Sequence, residues 1–388
     1  MSQHSALSDR ITQEADRHYA RAEAASHAIH GRPELAFEER FASDLLRKEL
    51  SGLGFEVKAS QAALDTAFVA TAGSGDLEIA ICAEYDALPG VGHACGHNII
   101  ASAALLAAAS IKPLLDDLGV QLRVLGTPAE EGGGGKVLML EAGDFTGLHA
   151  AMMIHPSPAD ADRMPCVAAK HLDVSYQGKE AHAAGFPQLG VNALDAMTIA
   201  QVAIGMARQY IYPYDQVHGI VTKGGDAPNV IPGHVEGKFI VRSLSLRDLD
   251  LLEPKIRRCF EAGAVASGAH LVIDEPSPPY SEFIDDEEIV DLFREAAATI
   301  GRPAPRADNA LRASTDMANI SLEVPSIHPL LSIDSLPAVN HQPEFTRAAA
   351  SPAADRAMRD GAVAMAGTIL AIATNDSLRA RLLNHRCR

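Results

Sequence analysis

Two periods alternate along the chain. Asp9 to Leu53 has the spacing of amphipathic helices, broken at His30-Gly31-Arg32-Pro33, where glycine and proline end one helix before the next begins. Short apolar runs then alternate with helical stretches. Leu77 to Ala83 (LEIAICA), Val120 to Gly126 (VQLRVLG) and Ala150 to Ile154 (AAMMI) read as strands, with helices predicted over Asn98 to Leu115 and Lys136 to Ala142. Strands separated by helices predict an α/β fold with a mixed, mostly parallel sheet and helices on both faces. Such sheets place their chemistry in loops at the carboxyl ends of strands.

The pattern changes near Ala168. HLDVSYQG alternates as a half-exposed antiparallel strand, Asn192 to Arg208 is helical, and VHGIVTKGG and GHVEGKFIVRS are further strands. Asp248 to Gly268 is helical and HLVIDE follows as a strand. The order β-α-β-β-α-β is that of a ferredoxin-like α+β unit. The Pro-rich stretch Pro276 to Ser281 reads as the return linker, so residues 168–277 form a domain inserted between 1–167 and 278–388.

Charge removes whole classes of function. Lys and Arg number 33 against 50 Asp and Glu, a net charge of −17, and a surface so acidic repels phosphate backbones and anionic lipid. Neither nucleic acid nor a membrane is therefore an expected partner. The longest mostly apolar run, Ile99 to Ile111, is short of the roughly 20 residues of a membrane span and suits a buried helix. Met1 to Arg40 has no apolar core of a signal peptide, so the expected location is the cytoplasm. The five cysteines (Cys82, Cys95, Cys166, Cys259, Cys387) are odd in number and scattered, against a disulfide framework. Cys82 and Cys166 read as small core residues. Arg379, Arg381, Arg386 and Arg388 read as a solvated helix end.

The densest chemistry lies in Gly92-His93-Ala94-Cys95-Gly96-His97-Asn98, a glycine-flanked turn leading from a strand into a helix. A thiolate and an imidazole two residues apart can converge on one metal ion, or the histidines can merely cap the helix. Thr127 to Lys136 (TPAEEGGGGK) follows the next strand. Its adjacent carboxylates, Glu130 and Glu131, can divide the labour, one ligating a metal and the other acting as general base. A phosphate loop is excluded there because Val137 follows Lys136 and the glycine spacing is wrong. A solvated acidic turn is the other reading. His155 follows the AAMMI strand, and His341 lies in NHQPEF. Cys95, His97, Glu131, His155 and His341 are too many ligands for one tetrahedral zinc and suit two metals roughly 3.5–4 Å apart sharing a water.

GHACGHN, PAEEGGGGK, MIHP, GKEAHAA, GVNALDA, GGDAPNVIP, STDMANISLEVPSIHP and NHQPEF, in this order between about His30 and Phe345, resemble the M20 family of metallo-aminoacylases and carboxypeptidases. Within it the chain resembles the amidohydrolase subfamily, in the branch of aminobenzoyl-glutamate hydrolase and peptidase M20 domain-containing protein 2. The resemblance implies that Cys95, His97, Glu131, His155 and His341 are the metal ligands and Glu130 the general base. It implies that His182 reaches the partner subunit's active site to help hold the oxyanion, and that Asn229 lies near the substrate. It further implies a homodimer built through the inserted domain, which would serve as lid and dimerisation domain to a catalytic domain made of 1–167 and 278–388. The chain departs from the wider family at Glu84, where a metal-binding histidine is usual, so Cys95 and His97 must compensate and Asp86 would orient a ligand.

The expected function is metal-dependent hydrolysis of the amide bond of N-acyl or aminoacyl amino acids or dipeptide-like conjugates. A metal-bound hydroxide attacks, Glu130 is the base, and the cofactors are two divalent ions, zinc or manganese, with cobalt also compatible. Arg242 could grip a substrate carboxylate, as could Arg312, and a salt bridge explains either equally. Asp316 could orient a ligand or cap a helix. His93 reads as a turn residue, and His171, His218, His234 and His328 as structural. Two rival readings are a cysteine hydrolase with Cys95 as nucleophile and a non-catalytic, metal-stabilised binding protein.

Overall fold

The computed structural model describes residues 3–307 and 312–385. Cys387, Arg386 and Arg388 lie outside the described residues. The chain divides into two compact units, Met1–Pro165 with Phe283–Arg388, and Cys166–Glu282. The first begins with α1 (Gln3–His30) and α2 (Arg40–Gly52), followed by β1 (Glu56–Ala59), β2 (Phe68–Ala72) and β3 (Leu77–Ala83). Next come α3 (His97–Ile111), α4 (Leu115–Leu118), β4 (Val120–Gly126), α5 (Gly135–Glu141), β5 (Ala150–Met152) and β6 (His155–Ser157).

The second unit holds β7 (Ala168–Gln177), α6 (Ala193–Ala207), β8 (Gln216–Lys223), β9 (His234–Ser243), α7 (Leu246–Ser267) and β10 (His270–Asp274). Its sheet runs β10-β7-β9-β8 with every neighbour antiparallel, the ferredoxin-like order. Alternate residues of β9 (Val235, Phe239, Val241) pack against α6 and α7 in one core. Pro276 to Ser281 does not act as a bare linker, because Tyr280 pairs with Ala169 at the head of β7.

The first unit resumes with α8 (Glu287–Thr299), α9 (Met317–Glu323), β11 (Ser326–Ile327), β12 (Leu330–Ser332), α10 (Pro343–Ala348), α11 (Pro352–Thr374) and α12 (Asp376–Asn384). Its main sheet has the order β1-β2-β4-β3-β5-β11. β4, β3, β5 and β11 are parallel, while β2 joins β4 and β1 joins β2 antiparallel. A parallel strand buried on both faces needs a continuous apolar run, and LEIAICA is one. Leu77, Ile79 and Ile81 enter the core built with α1, α3, α8 and α11, whereas Ala80 and Cys82 enter a second core with Met139 of α5 and Met317 and Ile320 of α9. Helices therefore cover both faces, as the pattern predicts.

All fifteen residues of α3 are buried. The helical stretch His97–Leu118 is apolar and long enough to cross a membrane, yet 89% of its apolar window is buried in this fold, between α1, α11 and the sheet. Periodicity singled out no strand before Leu77. β1 is a four-residue, largely exposed edge and β2, between β1 and β4, is only five residues long, so neither carries the long apolar run of a central strand. Cys82 is buried, but Cys166 is only half-buried and is no core residue.

Candidate metal centre

Every candidate ligand lies in the first unit, in a loop or at the first residue of an element that a loop leads into. Glu84 and Asp86 follow β3 at its carboxyl end, and Glu130 and Glu131 follow β4. In GHACGHN the backbone turns at Gly96 (φ 76°), and a Cβ there would sit 2.9 Å from the Pro156 ring. That turn makes the buried His97 the first residue of α3. Ala129 (φ 60°) is a left-handed non-glycine whose N–H donates to Glu39 Oε1 at 2.8 Å, which aims the two glutamates after it. His155 opens β6. His341 (φ 71°) is also left-handed, and its N–H donates to Ala94 O at 3.0 Å, tying the NHQPEF loop to the GHACGHN loop. Strained non-glycine conformations persist only where surrounding contacts over-determine them.

These loops bring the five sequence-predicted ligands together as two triads. Cys95, Glu131 and His341 each offer an atom within 4.8 Å of the others, and so do His97, His155 and Glu84. His97 also groups with Glu130 and Glu131. His97 Nε2 lies 3.5 Å from Glu84 Oε2, 3.8 Å from Glu131 Oε1 and 3.9 Å from Glu130 Oε2. Its Nδ1–H donates to Asp86 Oδ1 at 2.9 Å, and the other Asp86 oxygen accepts from the Glu131 N–H at 3.0 Å. His155 Nδ1–H donates to Pro156 O at 2.8 Å. A carboxylate or a carbonyl can only accept, so in the neutral form each imidazole carries its lone pair on Nε2, the state a metal requires.

Behind the triads lies a buried ion cluster that sequence reasoning missed. Lys136 Nζ is 2.5 Å from Glu84 Oε1 and 2.7 Å from Asp316 Oδ1, and the Lys136 N–H donates to Asp316 Oδ2 at 2.8 Å. All three side chains are fully buried. Asp316 thus does not cap α9, having no side-chain capping bond there. Glu84 was legible only as a departure from a pattern, although a carboxylate directly after an apolar strand was the available signal. His328 is also fully buried, its ring 5.7 Å from that of His155. His93 is buried and stacked on His30, and belongs to neither triad.

Burial and charge set the electrostatics. Burial alone would lower His97, but Asp86, Glu84 and Glu131 carry it well above its usual range. Burial would raise Asp86, and the neighbouring His97 instead holds it low. Glu130 is pushed well up by burial and by Glu84 and Glu131. Burial, with Glu131 and Glu130 beside it, pushes the Cys95 thiol well up. Burial and His97 press His155 down to about 4. Carboxylates therefore outnumber cations in a water-poor site, a situation that neutral folding avoids and bound cations relieve. His97 Nε2, Glu84 Oε2 and Glu131 Oε1 are buried without a hydrogen bond. Imidazole nitrogen, carboxylate oxygen and one thiol make a donor set that fits divalent transition metals.

In the second unit, an isolated antiparallel bridge joins His182 to Val230, and the Ala183 N–H donates to Asn229 O at 3.0 Å. His182 and Asn229 are thereby neighbours, both exposed. The His182 Nδ1 accepts from the Gly185 N–H at 3.0 Å, which leaves Nε2 as the protonated, donating nitrogen of the neutral ring. Arg242 sits apart on β9, half-buried, in register with Ala169 and Gln216, and burial lowers its pKa. Arg312 in the first unit is exposed.

Residues 80–370 match the family model of peptidase family M20/M25/M40. The chain is 38% identical to the Xaa-Arg dipeptidase of Mus musculus over 382 residues, 94% of this chain and 88% of the relative. It is 32% identical to a subunit of the p-aminobenzoyl-glutamate hydrolase of Escherichia coli over 255 residues, 60% of this chain and 53% of the relative. Among solved structures, a dinuclear metal binding peptidase of Bacillus subtilis superposes with a TM-score of 0.67 at 21% identity, covering 92% of this chain and 99% of that one. Loops, fold and sequence agree, and the chain belongs to peptidase family M20/M25/M40 as an enzyme of the amidohydrolase and dipeptidase type.

Proposed function

We propose that the protein hydrolyses the amide bond of dipeptides or N-acyl amino acids at a two-ion centre held by Cys95, His97, Glu131, His155 and His341. The observation that carries this reading is the convergence of these side chains, from four separate loops, into two adjoining triads beside Glu130. When bound, the two ions would polarise the scissile carbonyl and make a water acidic enough to react near neutral pH. Glu130 takes the proton from that water and returns it to the leaving amine, a task suited to a carboxyl that burial and like charges push toward neutrality. Asp86 fixes the His97 ring and the Glu131 backbone at once, so one side chain aligns a ligand of each triad. His182, with its Nε2–H free to donate, is suited to holding the developing oxyanion from a partner subunit, with Asn229 and Arg242 serving substrate.

The homodimer would form through the second unit. There β8 is an edge strand with most residues exposed, and α6 exposes Val202 and Met206. Among substrates, dipeptides with a basic carboxyl-terminal residue have the best support. The Xaa-Arg dipeptidase likeness spans nearly the whole chain, whereas the aminobenzoyl-glutamate hydrolase likeness spans 60% of it. Zinc and manganese both suit the donor set, and cobalt is a third fit.

The test is Glu130→Gln on the full chain, assayed with aminoacyl-arginine, aminoacyl-lysine, N-acetyl amino acids and aminobenzoyl-glutamate. Turnover should fall about 10²–10⁴-fold with two ions retained. Near-normal turnover with both ions in place would refute the assignment of the base. Cleavage of aminobenzoyl-glutamate alone would reassign the substrate class. The cysteine-nucleophile reading is disfavoured because Cys95 is buried among carboxylates that raise its pKa, where a nucleophilic thiol needs a lowered one. Activity that survives chelation but not thiol alkylation would restore it, and ion binding with no cleavage across the panel would favour the binding protein.

A further inference from the structure

The five expected ligands divide unevenly. The triad of Cys95, Glu131 and His341 contains three of them, and only His97 and His155 are left for the second position. The third member of that second triad is Glu84. Its Oε2 is closer to His97 Nε2, at 3.5 Å, than the oxygens of Glu130 and Glu131, at 3.9 and 3.8 Å. Both atoms are fully buried, and neither makes a hydrogen bond. Two donors, each about 2.1 Å from one ion, lie about 3–4 Å apart, so the pair is spaced as ligands of a common cation.

The other half of the Glu84 carboxylate is already engaged. Oε1 meets Lys136 Nζ, and Lys136 is itself anchored through Nζ and its backbone N–H to Asp316. The lysine side chain is fully buried, with its ammonium between two carboxylates, so turning away would leave a buried charge unpaired. One oxygen held by a fixed ammonium leaves the other aimed at His97. Asp316 also has an oxygen within 4.8 Å of Glu84 and Glu130, but both of its oxygens accept from Lys136, one from Nζ and one from the backbone N–H.

We propose that Glu84 is a sixth metal-binding side chain, completing the site of His97 and His155, and that Lys136 is the positioning residue that holds it there. This deepens the two-ion reading and rests on it. Glu84 then supplies a carboxylate oxygen to the inner ion, where the outer ion has the Cys95 thiolate. Harder oxygen donors favour manganese and thiolate favours zinc, so the two positions differ in metal preference.

The test is titration of the metal-free full chain with cobalt(II), following the cobalt–thiolate absorption together with total bound metal. Wild type should take two equivalents, one of which brings up the thiolate band. In Glu84→Gln the thiolate equivalent should keep its affinity while the other weakens at least tenfold. Equal affinity of both equivalents in Glu84→Gln and wild type overturns the proposal. Wild type that binds no second equivalent, or develops no thiolate band, instead overturns the two-ion reading beneath it. Lys136→Met combined with Asp316→Asn removes the anchor without leaving a lone buried charge between them. It should weaken the same equivalent several-fold with little change at the thiolate site, and it serves as the deciding variant if Glu84→Gln does not fold. Unchanged binding of both equivalents in that double variant also overturns the proposal.

Discussion

The two triads are built to different standards. The inner one, Glu84 with His97 and His155, is sunk beneath the loops, with Glu84 and His97 fully buried. Each of its donors is fixed from behind: Glu84 by Lys136, His97 by Asp86, His155 by the Pro156 carbonyl. The outer one grades from the buried Cys95 through the half-buried Glu131 to the exposed His341, whose own backbone is in the left-handed region. An inner set that is rigid before any ion arrives loses little entropy on binding, while an outer set must be assembled from a strained loop. The difference teaches that one pair of ions need not be one kind of site.

Metal removal should have the largest effect. Without ions, Glu84 and Glu131 both press on Glu130 in a buried space, relieved only in part by Lys136 and His97. Chelation should abolish amide hydrolysis. Apo protein should lose on the order of 4 kcal/mol for each ion that had been present at a thousandfold excess over its dissociation constant. Urea unfolding with and without chelator measures the loss. In a stopped-flow mix of cobalt enzyme with chelator, the thiolate band should decay before the remaining cobalt leaves, because the exposed His341 opens the outer site. Loss of the inner ion first would break the comparison.

Asp86→Asn sharpens it. Asp86 holds one residue of each triad, so on the two-ion proposal both equivalents of cobalt should weaken together, by about 10–100-fold, where Glu84→Gln weakens one. An asparagine can accept from His97 or from the Glu131 N–H, but it cannot do both with two oxygens. Weakening confined to one equivalent would mean that the triads are held independently.

What the sequence disclosed follows the same division. LEIAICA, VQLRVLG and the alternating HLDVSYQG were legible because burial on two faces or one leaves a periodic record in the residues. Cys95, His97, Glu130, Glu131, His155 and His341 were picked out as candidates because they stand in short motifs whose order along the chain resembles the M20 family. Glu84, Lys136 and Asp316 were not. Nothing in GGGGKVL tells a buried lysine from a solvated one, and its partners stand 52 positions before and 180 after it in the chain. A buried ion cluster is a property of packing between distant segments, and no local period records it. β1 and β2 were missed for the opposite reason, β1 being a short exposed edge and β2 only five residues long, too little to carry a pattern.

Buried carboxylates outside the centre offer the gentlest test of the idea that cations offset their cost within it. Asp285 is enclosed between Asp162 and Glu287, with Arg163 3.6 Å from one oxygen and no hydrogen bond to the other. Burial raises its pKa to about 7, Arg163 opposing and Glu287 and Asp162 adding. An unfolded aspartate titrates near 3.9, so the native state holds the proton more tightly across the interval between. The group's contribution is therefore most favourable below about pH 4, is lost as pH rises toward about 7, and is flat above. Asp285→Asn keeps the shape and removes the charge. At pH 8 it should be more stable than wild type by about 1–3 kcal/mol in urea unfolding, and the gain should shrink steadily down to pH 4. A variant less stable than wild type at pH 8 would show that the Arg163 pair outweighs burial. A carboxylate beside a single cation would then suffice in this fold, and the crowding of Glu84, Glu130 and Glu131 would itself require fewer ions than two.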